Sequence, residues 1–254
     1  MELSAENKPS IPTIAPAAPS EALNSQPSTL SSPRPAMHRF IQHVRVELPV
    51  ATEQAAEARV RLGEKFPRTA LRRMTHLGML LGSALDGVAL TPDDAVVYAS
   101  SYAETRALED FLASFPQASP LLFQTSIHPG GVQQVLIGRQ QPVARLWPLA
   151  GRARLVEQAL LAALLEPAAR VVLLGGEERG SWLLEQGYAS DRAFALAAVL
   201  GREAAGAAGR ISWTEQPGVA EEPCPTLFSF AAAVAERRPL AWHALGGEWS
   251  IQWS

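Results

Sequence analysis

The side chains suited to covalent chemistry are few. There is one cysteine, Cys224, set between Pro223 and Pro225. Flanking prolines suit a rigid exposed loop and supply no helix N-terminus to lower the thiol pKa, so an incidental thiol is expected. A single cysteine excludes an internal disulfide and a cysteine-rich zinc site, and it points to a reducing compartment. The five histidines are His38, His43, His76, His128 and His243. No two of them form a metal-spaced pair, so no metal site is expected. His128 lies in Ser126-Ile127-His128-Pro129-Gly130-Gly131 with no acid, base or nucleophile close by in sequence, which favours a structural role. Residues 175–181 read GGEERGS. The glycine spacing is that of a phosphate loop, but no lysine precedes Ser181, and a strand-to-loop turn is expected instead. No GxSxG elbow occurs, which argues against hydrolases of that type. Arg68, Arg72 and Arg73 form a basic edge on one predicted helix. A solvated face is the ordinary explanation for such an edge, and docking of an acidic partner is the functional one.

The pattern around these residues alternates strands and helices. In residues 39–49, Val44, Val46 and Leu48 alternate with Arg45 and Glu47, as a half-buried strand requires. A charged helix follows near 55–63. Pro67 opens a helical stretch in which Leu71, Met74, Leu77, Gly78, Leu81 and Leu85 recur at helical spacing. Residues 96–99 suit a buried strand, and 104–115 a helix with Leu108, Phe111, Leu112 and Phe115 on one face. Another helix is expected within 120–137, and a strand at 143–147. The stretch 151–165 reads as a helix apolar on nearly all sides, which is the pattern of a helix buried on nearly all sides. Residues 171–174 are continuously apolar, like a strand inside a parallel sheet. Strands at 193–200 and 211–214, a helix at 226–237 and a closing hairpin across Gly246-Gly247 complete an α/β or mixed-sheet domain. Trp213, Trp242, Trp249 and Trp253 cluster late in the chain and suit core or interface packing.

The chain has 254 residues, 47% of them hydrophobic, and a formal net charge of −3. That is enough to build a sizeable core, and the charge argues against a nucleic-acid surface. Seven of the 20 prolines fall in residues 1–37, a Pro/Ser/Ala-rich segment without helical or strand period. A disordered tail is expected there, and the folded domain over 38–254. The first residues are not patterned as a signal peptide, and the most apolar run, 155–165, is far short of the about 20 residues that a membrane span needs. A cytoplasmic protein without cofactor is the expectation.

Three segments together resemble the β-ketoacyl synthase N-terminal-like family of short proteins. They are Pro67-x-x-x-x-Arg72-Arg73-Met74-x-x-Leu77, then Val96-Val97-Tyr98-Ala99-Ser100-Ser101-Tyr102-x-Glu104, then Ser119-Pro120-x-x-Phe123-x-x-Ser126-Ile127-His128. The apolar helix before Arg170-Val171-Val172-Leu173-Leu174-Gly175-Gly176 looks like the helix-strand-GG unit of ketosynthases. The resemblance covers residues 40–254. It implies half of a thiolase-type fold: a mixed five-stranded sheet flanked by helices, with extra C-terminal strands.

A condensing ketosynthase carries its nucleophilic cysteine at the head of that apolar helix, where the helix dipole stabilises the thiolate. The family spacing, counted back from Gly175-Gly176, lands on Ala150, and residues 131–180 contain neither cysteine nor serine. The catalytic histidines of full ketosynthases lie in a C-terminal half that is absent. The resemblance therefore implies no catalytic residue and a chain-length-factor-type subunit, in a heterodimer with a full-length ketosynthase of aryl polyene, polyketide or fatty acid biosynthesis. Acyl carrier protein would be met through that partner. Phe123, Ser126, His128, Ile137 and Trp147 are the expected partner or tunnel contacts, and Arg68, Arg72 and Arg73 the expected acidic-partner docking residues. The alternative is a cysteine-independent acyl-thioester enzyme, such as a malonyl decarboxylase working near His128.

Overall fold

The computed structural model describes residues 36–49, 53 and 55–254. The expected tail, residues 1–37, lies outside the described residues as far as residue 35, and Met37 opens the first strand. Along the chain run β1 (Met37–Glu47), α1 (Ala55–Gly63), α2 (Arg68–Leu71), α3 (His76–Ala84), β2 (Ala95–Ser100), α4 (Thr105–Ala113), α5 (Pro120–Thr125) and α6 (Gly130–Arg139). There follow β3 (Arg145–Ala150), α7 (Leu155–Leu165), β4 (Val171–Glu177), α8 (Trp182–Glu185), β5 (Phe194–Gly201), β6 (Gly209–Glu215), α9 (Leu227–Ala235), β7 (Leu240–Ala244) and β8 (Gly247–Trp253).

The strands form one eight-stranded sheet in the order β3-β2-β4-β5-β1-β6-β8-β7. β2 runs parallel to β3 and β4, and the remaining pairs are antiparallel. The expected mixed five-stranded sheet is β3-β2-β4-β5-β1. The extra C-terminal strands extend that same sheet past β1 rather than forming a layer of their own. All of β4 is buried, and its alternate side chains feed two cores. Val171 and Leu173 pack with α7 and α9 on one face, and Val172 and Leu174 with α3 and α6 on the other. Each such side chain contributes about 1.5–3 kcal/mol by leaving water. Gly176 follows because α3 and β5 close tightly on the sheet here: an added Cβ would lie 2.9 Å from the Phe194 carbonyl oxygen and 3.2 Å from Leu77. The closing hairpin turns at Leu245 and Gly246, both left-handed with φ of 55° and 72°, which matches the twist of the flanking strands.

Three helical expectations change in detail. The pattern from Leu71 to Leu85 is two helices, because Thr75 caps α3 by accepting the Gly78 N–H at 3.0 Å. The stretch 120–137 also divides, into α5, capped by Ser119 with Pro120 in its first turn, and α6, which begins after Pro129. α7 begins at Leu155 rather than 151, behind Gly151 and a left-handed Arg154.

The apolar α7 is covered as its pattern requires: α9 packs beside it, and Trp242 and Trp249 stack at 6.1 Å in the same core. Of its apolar residues only Leu165, at its C-terminal end, stays largely exposed, at 62%. The C-terminal segment of the chain supplies the cover itself.

Candidate functional site

The parallel strands β2, β3 and β4 end on one side of the sheet, where open α/β sheets place their sites. Two carboxylates, the buried Glu177 and the half-buried Glu178, leave the end of β4, one on each face. Glu177 accepts the Ser100 hydroxyl at 3.2 Å, the Tyr102 N–H at 3.3 Å and the Ser101 N–H. Burial outweighs these donors and pushes its pKa up to about 7. Glu178 accepts the Leu77 N–H at 3.1 Å and faces the His76 ring at 3.7 Å. Burial raises it to about 7 as well.

Beside them Glu104, buried in the turn after β2, holds His128 Nδ1 at 2.8 Å and accepts the Gly131 N–H at 3.0 Å. The His128 ring stacks on the buried Tyr98 ring at 5.1 Å. The acid partner that local sequence did not offer His128 is thus Glu104, 24 residues upstream. The order of the two motifs carried the signal, since the residue closing the second segment bonds the one closing the third.

The β3–α7 junction is where a condensing enzyme would hold its nucleophile. Ala150 is the last residue of β3 and lies four residues before the helix cap. Arg154 stands there, with φ of 54°, paired to Glu221. Arg152 lies over the Tyr102 ring at 5.7 Å and donates to the Gly187 carbonyl at 3.2 Å. Neither Ala150 nor Arg154 can accept an acyl group. Cys224 also departs from expectation. It is half-buried, and its thiol donates to the buried Glu157 carboxylate at 2.6 Å. Burial and that carboxylate push the thiol up to about 12, which leaves almost no thiolate at neutral pH. Incubation with an acyl thioester is therefore expected to give no covalent adduct by intact mass. A stoichiometric adduct would overturn this reading of the junction.

The helix α4 is turned inside out. Leu108 and Leu112 are 37% and 42% exposed, and Phe115, just past its end, 56%. Glu109, by contrast, is buried. Its carboxylate accepts the N–H groups of Ser181 and Leu183 at 2.8 Å and 2.7 Å and the Ser181 hydroxyl at 2.8 Å, satisfying the start of α8. Burial opposes its ionisation, yet these donors outweigh it and hold the carboxyl below its ordinary range. The apolar stripe continues onto α5 through Phe111 and Phe123, whose rings lie 5.3 Å apart.

The expected contact residues fall into separate places. Phe123 joins the α4 stripe. The Ser126 hydroxyl donates to the Phe123 carbonyl at 2.8 Å and so closes α5. Trp147 projects half-exposed from β3, the edge strand of the sheet, with its indole N–H on Glu166 at 2.7 Å. Glu166 is buried and also binds Arg145 at 2.6 Å, so the tryptophan is oriented in advance. Ile137, on α6, lies neither with Phe123 nor with Trp147 but lines a cavity with Arg72 and Arg73. Arg68 begins α2, and Arg72 and Arg73 follow its end; all three are exposed and make no ion pair among the described residues. No helix among the described residues is long and apolar enough to cross a membrane.

No protein-family model and no curated protein matches the sequence. Among solved structures, the chain is similar to one in the complex of the ketosynthase ApeO with its chain length factor ApeC from Xenorhabdus doucetiae. That match has 18% identity and a TM-score of 0.60, over 85% of this chain and 99% of the other. It is also similar to the ishigamide ketosynthase/chain length factor, with 13% identity and a TM-score of 0.50, over 68% of this chain and 65% of the other. With the strand order and the helix-strand-GG unit in place, this chain has the ketosynthase/chain-length-factor fold, half of a thiolase-type architecture.

Proposed function

We propose that the chain is a non-catalytic, chain-length-factor-type subunit that supports a full-length ketosynthase in aryl polyene, polyketide or fatty acid biosynthesis. The observation that carries this is the inverted α4. A helix that buries its carboxylate and turns Leu108, Leu112 and Phe115 to solvent presents an apolar face larger than scattered surface residues explain, and such faces mark protein contacts. Two further features support the reading. The β3–α7 junction lacks an acyl acceptor, and β3 leaves a free strand edge on which Trp147 is already oriented. Both solved structures named above are of ketosynthases with chain length factors. Arg68, Arg72 and Arg73, which make no ion pair among the described residues, suit docking of an acidic carrier protein to the assembled pair, and the half-buried thiol suits the reducing cytoplasm.

Co-expression with a full-length ketosynthase encoded beside this chain, followed by size-exclusion chromatography, is expected to give a one-to-one complex. Monomeric elution at micromolar concentration in the presence of every neighbouring ketosynthase would end the subunit reading. The second reading, a cysteine-independent malonyl-thioester decarboxylase, is favoured by the His128–Glu104 pair, whose free Nε2 is buried without a hydrogen-bond partner. Release of carbon dioxide from a malonyl thioester by the isolated chain, lost in His128→Ala, would select it.

A further inference from the structure

A cavity of about 620 Å3 lies at the end of the sheet away from Glu177, where β4 begins and β5 ends, within the range of small-ligand sites. None of the expected partner contacts lines it. Val88 and Val199 form its floor, both almost fully buried, at 7% and 5% exposure. One wall is built by a bulge in β1: the register with β5 shifts between Ile41 and His43 and leaves Gln42 unpaired, which re-aims its side chain. That side chain lies across Gly201, where an added Cβ would come within 3.2 Å of it, and donates to the Glu203 carbonyl at 2.5 Å. A second wall is Arg170, neutralised by the buried Asp94, to which its Nε donates at 2.8 Å. Arg202 and Glu203 stand on the rim. Arg202 donates only to the Glu166 and Pro167 carbonyls, at 3.3 Å and 3.2 Å. The nearby buried Arg39 also rests on carbonyls of this segment, those of Ala168 and Ala169 among them, so neither guanidinium has a carboxylate bonded to it. Neither Arg202 nor the Glu203 carboxylate makes an ion pair among the described residues. A cation and an anion on adjacent residues thus border one apolar-floored cavity without pairing to each other.

We infer that this cavity binds a free α-amino acid with an apolar side chain, its carboxylate on Arg202, its ammonium on Glu203 and its side chain on Val88 and Val199. The zwitterion supplies one partner for each open charge, and the guanidinium fork takes a carboxylate through paired N–H donors. A simple anion would satisfy Arg202 and be repelled by Glu203, and a simple cation would meet the reverse. The Gln42 side-chain carbonyl, which accepts no hydrogen bond among the described residues, offers the ammonium a second acceptor. The ligand's side chain leaves water against the floor, with about a fourfold gain in affinity per methylene. Loss of either charge-assisted contact weakens binding about tenfold or more. The cavity belongs wholly to this chain, so the inference does not depend on the ketosynthase partner.

The test uses the isolated full chain with methyl-labelled valine, titrated with leucine, isocaproate, isoamylamine and alanine. Leucine is expected to shift the Val88 and Val199 methyl signals and to saturate. Isocaproate is leucine without the ammonium and isoamylamine is leucine without the carboxylate, and each should bind about tenfold more weakly. Alanine, which lacks most of the apolar side chain, should lose at least as much. Glu203→Gln should remove the preference for leucine over isocaproate, and Arg202→Gln the preference over isoamylamine. Both residues are exposed, so both variants should give the dispersed valine methyl spectrum of a folded chain. Arg179→Gln, just past the far end of β4, should change nothing. Unmoved Val88 and Val199 methyls, either single-charge analogue binding as well as leucine, or an unchanged preference in the two rim variants would each overturn the assignment.

Discussion

Leu112→Asp combined with Phe115→Asp is expected to abolish the complex with the partner ketosynthase while leaving this chain folded. Both residues lie on the solvent side of α4 and its end, at 42% and 56% exposure, so neither contributes much to the chain's own core. Exposed substitutions away from special features cost within about 0.5 kcal/mol of zero. In the complex the same residues would be desolvated. Truncating a buried anchor costs about 2 kcal/mol or more, roughly a thirtyfold loss of affinity. An aspartate adds the cost of burying an unpaired charge, several kcal/mol more. Val60→Asp, at an equally apolar but isolated exposed position on α1, serves as the control and should leave the complex intact. Trp147→Ala tests the strand edge separately, with a loss of about 2 kcal/mol expected. Melting curves of the free chain should superimpose for the parent and the two aspartate variants, whereas Trp147→Ala also removes a donor from the buried Glu166. Co-elution of the double aspartate variant with the ketosynthase at wild-type affinity would remove α4 from the interface, and with it the main support for the subunit reading.

The second large effect is a fall in stability as pH rises towards neutrality. Glu177 and Glu178 hold their protons up to about pH 7 in the folded chain, whereas an unfolded glutamate releases its proton near pH 4.3. Between those values the native state binds more protons than the unfolded state, so stability declines as pH rises and the penalty is complete above about 7. Each group costs about 4 kcal/mol there. His76 acts in the opposite sense, because burial lowers its pKa and the unfolded chain gains a proton first as pH falls through about 6.5. Glu47, Asp94, Glu109 and Glu166, all held below their ordinary range, lose their contributions only below the carboxylate region. Denaturant unfolding should therefore show greater stability near pH 5.5 than near pH 8, by a few kcal/mol. Glu177→Gln with Glu178→Gln keeps acceptors for Ser101, Tyr102 and Leu77 but removes the titration. That variant should exceed the parent in stability near pH 8, and the advantage should vanish near pH 5. A parent more stable near pH 8 than near pH 5.5 would falsify the assignment of protons to these two carboxyls.

Strands and turns were legible because their signals are local. The unbroken apolar run at 171–174 marks a strand buried on both faces, whichever elements cover it. Gly246-Gly247 marks a turn because glycine adopts left-handed backbone at little cost, although the link itself falls one residue earlier, at Leu245-Gly246, and Gly247 opens β8. The absence of cysteine from residues 131–180 was equally plain.

Orientation and long-range pairing were decided by the tertiary structure alone. Helical periodicity shows that Leu108, Phe111, Leu112 and Phe115 share a face, but it cannot show whether that face meets the protein's own sheet or the solvent. Here the outcome turned on Glu109, whose carboxylate is drawn inward by the unsatisfied N–H groups at 181 and 183. Glu104 and His128, 24 residues apart, meet because the end of β2 and the start of α6 converge over Tyr98. Cys224 looked accessible between its prolines, yet the fold sets it against Glu157, 67 residues away, and so makes it inert. The cover over α7 likewise comes from α9 and from the tryptophans of the last hairpin, elements far downstream of it. In each case the deciding contact joins groups whose separation along the chain carries no information about their distance in space, and the energy that selects it is a buried hydrogen bond or a packed apolar face formed only once the sheet has assembled.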